Sequence, residues 1–445
     1  MAKEDEVRVR GEDAQGKSLL RGWTIVACAF SCDALALGGR ALFAVVLLDW
    51  ERDFGWSRAS ISGAVSLLHI SSVLSTPITG HIVDLFGARN SLSLGLAAFA
   101  VTLALTGSIA YFWQLYVFYG LLSGLCLGVL NLNVFSVAVM DALPPRLHGR
   151  AIGITTSGST FGQLFLVPAF AFVARGIGWR LAYYIVAGLT LLMAPVTWFV
   201  LGNVQNKLPK EPGPAVPGES WKTVIREKLK KSLTNRYFWH LFFAFTICGI
   251  STTGFMETHI VAFCVHRGLA ASDGAYAFGL LSAFNGIGIL IAGFLSDRYS
   301  RPVLLGCIFL LRALCYLMMY FISNLGLLFS FSVLFGLVDY SVVPPVIGLV
   351  GRFVGKETVG LAMGILLASH SVGAAIGSSV GGSEFDRTQS YDIPIGLCAG
   401  LCVLASILCF LIPEELVRAQ VSALTNAEFE NTVEGWPKTG KATTI

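Results

Sequence analysis

The sequence predicts an all-α integral membrane protein with twelve transmembrane helices in two pseudo-symmetric six-helix halves. Three observations predict it: an apolar composition, twelve segments long enough to cross a bilayer, and a motif that recurs in both halves. Of the 445 residues, 55% are hydrophobic and 13% are charged, and the mean hydropathy is +0.71. Soluble domains carry about 25% charged residues, so this chain requires lipid around it.

Apolar runs of about 20 residues are long enough to cross the hydrocarbon core of a bilayer. Twelve such runs follow one another along the chain, at 22–48, 58–82, 91–110, 112–140, 150–173, 180–201, 237–264, 275–296, 303–321, 325–350, 359–382 and 392–412. Because their number is even, both termini are expected on the same side of the membrane.

Lysine and arginine are distributed unevenly over the loops. If both termini are cytoplasmic, 23 of the 31 cations fall in inner segments and six fall in outer loops. The other two, Arg40 and Arg312, lie within spans. Cytoplasmic loops carry an excess of positive residues, so this distribution predicts cytoplasmic termini. We expect a multi-pass protein of the plasma membrane.

The spans divide the chain into five parts. These are a cytoplasmic tail over 1–21, a six-helix half over 22–201, a central cytoplasmic loop over 202–236, a second six-helix half over 237–413 and a cytoplasmic tail over 414–445. In the central loop, Trp221, Ile225, Leu229 and Leu233 recur every four residues between lysines. This pattern predicts an amphipathic helix, either lying on the anionic inner membrane surface or solvated as a linker.

A motif that begins Gly-x3-Asp occurs after the second span and again after the eighth. Its residues are Gly80, Asp84, Gly87 and Arg89 in the first copy, and Gly293, Asp297, Arg298 and Arg301 in the second. Glycine lets helices approach closely, and a carboxylate can pair with a nearby arginine or sit at a helix N-terminus. We expect the two copies to form a conformational latch that holds the cytoplasmic side closed. Duplicated halves also place a substrate site near the midplane, where they meet.

The loop pattern Gly-x3-Asp-x2-Gly-x-Arg resembles the signature of the major facilitator superfamily. Finer features resemble its branch of monocarboxylate transporters and oxalate/formate antiporters: RGWTIV at the first span, FGWSRASIS over 54–62, HGRAIGITTSGSTFGQ over 148–163 and GWRLAYY over 178–184. The resemblance covers about residues 20–413. It implies the major facilitator fold and a secondary transporter of small organic acids that works by alternating access.

The sequence departs from that branch in one respect. Carboxylate transporters of the branch carry an arginine within span eight that pairs with the substrate carboxylate. Span eight here has no cation before Arg298, which lies at its cytoplasmic end. Where the oxalate-exchanging members have a lysine in span eleven, this chain has His370. A substrate anion would need another partner, and Arg40, Arg312 and His370 are the candidates.

Ionisable groups within spans are costly, so each is a candidate for function. At 1.5 Å per residue, Asp33 lies about 16 Å from the cytoplasmic edge, near the midplane. Arg40 shares its helix face near the outer edge, where it binds substrate, snorkels outward or pairs with a loop acid. Asp339 in span ten and Arg312 in span nine have matching depths. They predict a buried ion pair that serves transport or fixes helix register.

Two histidines and one pair of residues in span seven complete the charged candidates. His69 and His370 fall near mid-depth, where each binds substrate or a proton, or packs as a neutral imidazole. Glu257 and His259 lie near the outer end of span seven and are candidates for an extracellular gate.

Two neutral residues, Gln163 and Asn285, can hydrogen-bond a substrate or hold helices together. No acidic metal-ligand cluster and no nucleic-acid-binding pattern occurs, and we expect no enzyme activity, cofactor or metal. The buried acids Asp33 and Asp339 favour symport of a small monocarboxylate-like organic anion with protons. The alternatives are an exporter or exchanger of a neutral or cationic compound with the same fold, and a non-transporting receptor.

Overall fold

The computed structural model describes residues 2–202, 221–355 and 358–413 of the chain. Within these ranges, twelve helical segments are long and apolar enough to cross a membrane. They are α1 Leu19–Phe54, α2 Arg58–Thr76, α3 Leu85–Gly107, α4 Phe112–Ala142, α5 Pro145–Ile177, α6 Trp179–Val200, α7 Arg236–His266, α8 Ala271–Arg298, α9 Arg301–Met319, α10 Leu325–Val354, α11 Val359–Thr388 and α12 Asp392–Phe410. The all-α membrane fold with twelve spans is thus confirmed, with boundaries shifted by a few residues.

Polar side chains begin several of these helices. Ser57 precedes α2, Asn235 precedes α7 and Asn324 precedes α10, and each side-chain oxygen accepts a hydrogen bond from a backbone N–H two or three residues later. The first turn of a helix has backbone donors without helical partners, and such caps satisfy them. Polar residues therefore mark where the chain turns back at a face of the bundle.

Glycines let matching helices touch in both halves. In the first half two glycines of α5 lie directly against the backbone of α1, and in the second half two glycines of α11 lie directly against α7. The contacts are Gly158 with Phe30, Gly162 with Ala34, Gly373 with Thr246 and Gly377 with Ile250. A Cβ atom at any of these glycines would collide with a main-chain carbonyl. The two halves thus pack their equivalent helices in the same way.

The two halves meet at one face of the bundle and separate at the other. We name the side on which α1 begins and α12 ends the terminal face. Toward the opposite face, α2 packs on α11 and α5 packs on α8. Toward the terminal face, Gly153 of α5, Gly293 of α8 and Gly364 of α11 have no neighbouring atom within 4 Å of the place a Cβ would take. These positions thus face open space on the terminal side, whereas the contacts between the halves given above lie toward the opposite face.

Among the described residues, three membrane helices contain π-helical or 3₁₀ segments in their interiors. A π-helical segment runs over Leu115–Leu122 in α4 and another over Ile250–Met256 in α7, and a 3₁₀ turn covers Tyr340–Val342 in α10. Such irregular turns re-aim side chains and are frequent at functional sites. These three segments carry Tyr119, Thr253 and Tyr340, which all lie beside the site described below.

A further helix connects the two halves. It spans Trp221–Leu233, so the helix predicted in the central loop is present. Ile225, Leu229 and Leu233 are each about 40% exposed on it. An exposed apolar face of this kind fits the interfacial interpretation, and its contact with a membrane surface stays a prediction.

We expect Gly377→Val to destabilise the protein. Its side chain would collide with the Ile250 carbonyl and push α11 away from α7, and overpacking of this kind costs about 1–3 kcal/mol. Thermal unfolding of the purified protein in detergent measures the effect. Gly364→Val adds the same side chain on the same helix in open space and serves as the control. Equal melting temperatures for the two variants would contradict the packing argument.

Candidate functional site

One ion pair joins the two halves among the residues that the structure describes. Arg40 Nη2 of α1 lies 2.5 Å from Glu257 Oε2 of α7, and the two side chains are only 13% and 7% exposed. The other carboxylate oxygen accepts a hydrogen bond from the Tyr340 hydroxyl of α10 at 2.9 Å. The Tyr119 hydroxyl of α4 donates to the main-chain carbonyl of Arg40 at 3.1 Å. Arg40 thus pairs with an acid inside a span. Of its three alternatives, the loop acid and the outward snorkel do not hold in this structure, and substrate binding stays a prediction.

A small cavity adjoins this ion pair. Its volume is about 20 Å³, which is room for about one water molecule. The polar residues that line it include Arg40, His69, Tyr119, Thr253 and Glu257. Arg40 Nε is buried and has no hydrogen-bond partner. Because an unpartnered buried donor is costly, Arg40 retains the capacity to bind a further acceptor.

Asp339 and Arg312 lie next to this pair, but their side chains do not form the predicted ion pair. The Asp339 carboxylate accepts a hydrogen bond from Asn285 Nδ2 at 3.1 Å, and its other oxygen is buried without a partner. Arg312 is fully buried and donates to the main-chain carbonyls of Val338 and Asp339 and to Cys248 Sγ. The regular part of α10 ends at Asp339, so the last carbonyls of the helix have no helical partners. These carbonyls accept hydrogen bonds from the Arg312 guanidinium, a cation at the negative end of the helix dipole.

His69 and His370 face the same region from α2 and α11. His69 is buried and has no hydrogen bond to a described residue, whereas His370 is half-buried with its ring 5.4 Å from that of Phe245. The side chains of Arg40 and His370 are close enough to His69 to interact electrostatically with its ring. The charged residues within electrostatic range of His370 are Arg40, Glu257, Arg312 and Asp339.

These residues form one group, which we name the central polar cluster. Its members are Arg40, His69, Tyr119, Glu257, Asn285, Arg312, Asp339, Tyr340 and His370. Seven membrane helices of the two halves beyond α1 contribute to it. The sequence pointed to seven of the nine residues. Tyr119 and Tyr340 were missed because tyrosine is common in apolar helices, and only the position of Tyr340 next to Asp339 offered a signal.

Three predicted site residues lie outside this cluster. The Asp33 carboxylate accepts a hydrogen bond from the backbone N–H of Ser159 in α5 at 2.7 Å, inside the first half. Gln163 accepts a hydrogen bond from the Ser282 hydroxyl across the α5–α8 contact at 3.0 Å. His259 Nε2 lies 3.0 Å from the main-chain oxygen of Ser378 in α11. Asp33 and Arg40, expected on one helix face, therefore meet different helices.

A second contact between the halves closes the opposite face. The Asp386 carboxylate of α11 accepts hydrogen bonds from the backbone N–H groups of Arg58 and Ala59, at 3.1 and 2.8 Å, where α2 begins. The Arg58 guanidinium lies 3.6 Å from the ring centre of Phe385. A carboxylate at a helix N-terminus accepts hydrogen bonds from the free backbone N–H groups and is attracted to the positive end of the helix dipole. Sequence reasoning missed this residue, although Gly382-x3-Asp386 repeats the spacing of the latch motif.

The arginines of the predicted latch bind within their own halves. Arg89 Nε donates to the Trp198 carbonyl at 3.0 Å, and the Arg298 guanidinium lies 4.0 Å from the Phe294 ring centre. Arg301 lies 3.9 Å from Asp297. Gly87 adopts φ of +78°, a left-handed conformation that favours glycine. The surroundings of Gly80 and the side chain of Asp84 lie outside what the structure describes. In this conformation the terminal face is open, and a latch role in the closed form stays a prediction.

Two short letter patterns in the chain match enzyme motifs without their structural context. GEDAQGKS over 11–18 has the spacing of a phosphate-binding loop, and GSSVG over 377–381 that of a nucleophile elbow. Both motifs work at a turn between a strand and a helix. Here they lie inside the helices Ala2–Ala41 and Val359–Thr388. Neither pattern therefore indicates catalysis.

Comparisons with known proteins agree with this architecture. The family model described as Major Facilitator Superfamily matches residues 29–290 and 266–437. The chain is 27% identical over 401 residues to the uncharacterized MFS-type transporter YcxA of Bacillus subtilis (strain 168), covering 84% of this chain and 91% of the relative. It is 24% identical over 415 residues to monocarboxylate transporter 12 of Mus musculus, covering 87% of this chain and 84% of the relative.

A solved structure shares the fold. It is a bacterial homolog of the human lysosomal transporter Spinster, in an inward-facing and unoccupied conformation. The TM-score is 0.64 at 18% sequence identity, and the match covers 92% of this chain and 95% of that one.

We expect Asp386→Asn to loosen the seal at the opposite face, because the amide loses the charge that favours a helix N-terminus. The loss corresponds to about 1 kcal/mol. Double electron–electron resonance between spin labels at the exposed Arg52 and Arg387 measures the distance between the halves, and we expect a larger fraction of long distances. Asp392→Asn is the control, since Asp392 pairs with Arg267 inside one half. An unchanged distance distribution in Asp386→Asn would count against the seal.

Proposed function

Because this chain belongs to the Major Facilitator Superfamily, we propose that it transports small monocarboxylate anions, each together with a proton, by alternating access. The chain is a multi-pass membrane transporter, and its family and its transporter relatives indicate no enzyme activity. The substrate class and the proton are our proposal.

The charge balance of the central polar cluster carries this proposal. Its four charged side chains, Arg40, Glu257, Arg312 and Asp339, sum to zero when all are ionised. A carboxylate that enters adds one negative charge in a region of low dielectric constant, where an unpaired charge costs several kcal/mol. One accompanying proton restores neutrality. A monocarboxylate with one proton is therefore the simplest cargo for this site.

Arg40 is the cation best placed to hold the anion. Arg312 also has a buried Nε without a partner, but its guanidinium is held by main-chain carbonyls and a thiol and does not line the cavity. Arg40 borders the cavity and has a buried Nε without a partner. His69 and His370 face the same space and gain a positive charge on protonation. Arg40 thus takes the role that an arginine in span eight plays in the resembling branch, and the similarity to monocarboxylate transporter 12 supports the same substrate class.

The charge distribution over the loops supports an orientation. Under the positive-inside rule the terminal face is cytoplasmic. We propose the plasma membrane as its location. The conformation described above is then inward-facing. Asp33 and Asp339 stay the proton carriers that the sequence predicts, and the geometry adds a third acid, Glu257.

A second function competes with this one. The unpartnered, buried oxygen of Asp339 could pair with an amine, which would make the cargo a cation or a neutral compound that is exported or exchanged. The two functions differ in the charge of the substrate, and a single transport panel separates them.

Uptake into proteoliposomes tests the proposal. We expect labelled lactate or pyruvate to accumulate when the proton gradient is directed into the vesicle lumen, and to stop accumulating when a protonophore collapses it. Oxalate, amino acids and an amine complete the panel. Transport of the amine without any transport of a carboxylate would replace the anion proposal by the second function.

We expect Arg40→Ala to raise the half-saturation concentration for a carboxylate at least tenfold, because it removes the charged ligand of the anion. Tenfold corresponds to about 1.4 kcal/mol. Arg40→Lys keeps the positive charge and should recover part of the affinity. Arg52→Ala is the matched control, since Arg52 is 69% exposed and contacts only neighbouring acids of α1. His370→Ala should have a smaller effect in the same direction, with proton-driven accumulation retained. Unchanged affinity in Arg40→Ala would remove Arg40 from the site.

A further inference from the structure

Arg40 Nε has no partner, but the space beside Arg40 is too small for a substrate in this conformation. Both oxygens of Glu257 are engaged, one by Arg40 Nη2 and the other by the Tyr340 hydroxyl. The adjoining cavity of about 20 Å³ accepts about one water molecule, which is less than a carboxylate with its carbon chain requires. An anion therefore reaches Arg40 only if Glu257 gives way.

We propose that Glu257 occupies the substrate's place at Arg40 in the empty transporter and takes up the coupled proton when the substrate carboxylate displaces it. The inference rests on the proposed transport of carboxylates and assigns the coupling residue of that transport.

The exchange conserves charge and bonding. In the empty site Arg40 is paired with the Glu257 carboxylate. When the substrate anion binds, an ionic contact between Arg40 and the substrate forms and the contact between Arg40 and Glu257 breaks. The freed carboxylate accepts one proton from the water of the open side and becomes a neutral carboxylic acid. The site gains one negative and one positive charge, so its net charge does not change. Without the proton, a lone carboxylate would stay buried, which costs several kcal/mol.

The position of the pair links this exchange to the conformational change. Arg40 belongs to the first half and Glu257 to the second, and their ion pair is one of the contacts that close the opposite face. Substrate and proton together replace it by a contact that leaves the halves free to separate. Binding either one alone leaves a charge unpaired. This requirement for both ligands is what couples transport to the proton gradient.

Other titratable and charged groups face Glu257 from several helices. They are Arg40 in α1, His69 in α2, Tyr119 in α4, Asp339 and Tyr340 in α10, and His370 in α11. Asp33 is held by a backbone N–H inside the first half and Asp339 by Asn285 inside the second. Glu257 differs from both because its cationic partner belongs to the other half.

Glu257→Gln tests the inference. The amide keeps the size of the side chain and one acceptor oxygen but cannot take up a proton. We expect the variant to exchange external for internal carboxylate, to lose proton-driven accumulation, and to bind with an affinity independent of pH. In the wild type, the half-saturation concentration should rise with pH by up to about tenfold per unit, since each bound anion requires one proton. The slope should persist in the control Glu384→Gln, which removes an ion pair with Arg387 at the rim of α11.

A measurement on the wild type keeps the test independent of how well the variant folds. Addition of a carboxylate to the purified protein in weakly buffered detergent solution, followed with a pH indicator, should show uptake of about one proton per bound anion. Accumulation by Glu257→Gln with the wild-type pH slope would overturn the inference while carboxylate transport stands. Loss of accumulation in Asp33→Asn or Asp339→Asn with Glu257→Gln intact would assign the proton to that acid. If the wild type transports no carboxylate, the proposed function itself fails.

Discussion

A charged side chain buried between two helical halves in a bilayer needs an opposite charge beside it, because hydrocarbon supplies neither water nor counter-ions. In this protein Arg40 and Glu257 meet that constraint by neutralising each other across the boundary between the halves. The pair can exist only while the halves are in contact at that depth. The hydroxyls of Tyr119 and Tyr340 hold its two ends in place. Any ligand that takes one partner therefore acts on the contact between the halves as well.

Irregular helix geometry makes this arrangement possible. An unbroken α-helix buried in a bilayer satisfies all of its backbone groups internally, so it offers few polar ligands. The π-helical segments of α4 and α7 and the short 3₁₀ turn of α10 interrupt that pattern beside the cluster. Arg312 donates hydrogen bonds to two carbonyls of α10 that lack helical partners, and it thereby fixes the segment that carries Asp339 and Tyr340. Arg312 therefore supports the site through the backbone of α10.

The duplication of the halves explains how the rest of the bundle can move around this cluster. Glycine contacts join α1 to α5 and α7 to α11, so each half can behave as a rigid unit. Hydrogen bonds also join the two halves, and those of the Asp386 carboxylate at the start of α2 are among them. The Gly-x3-Asp spacing occurs near Asp386 at one face and near Asp297 at the other. Polar contacts of this kind can break and re-form at little cost, because their groups find water at the bundle's faces.

The sequence by itself determined the fold class, the twelve spans, the two halves and the short set of buried ionisable residues. It could do so because lipid imposes length and composition on every segment that crosses it, and because charges at depth are rare. It also pointed to Arg40 and Glu257, although it assigned them to separate roles.

Only the tertiary structure decided which of these residues meet. The depth of a residue in the membrane follows from its position in the span. The direction in which its side chain points around the helix axis, and the helix that it faces, do not. Arg312 and Asp339 have matching depths, yet the guanidinium turns to main-chain carbonyls where α10 loses its regular geometry. Asp33 and Arg40 share a helix face, yet one meets a backbone N–H of α5 and the other an acid of α7. Partner choice depends on packing between distant segments, and local periodicity carries no information about it.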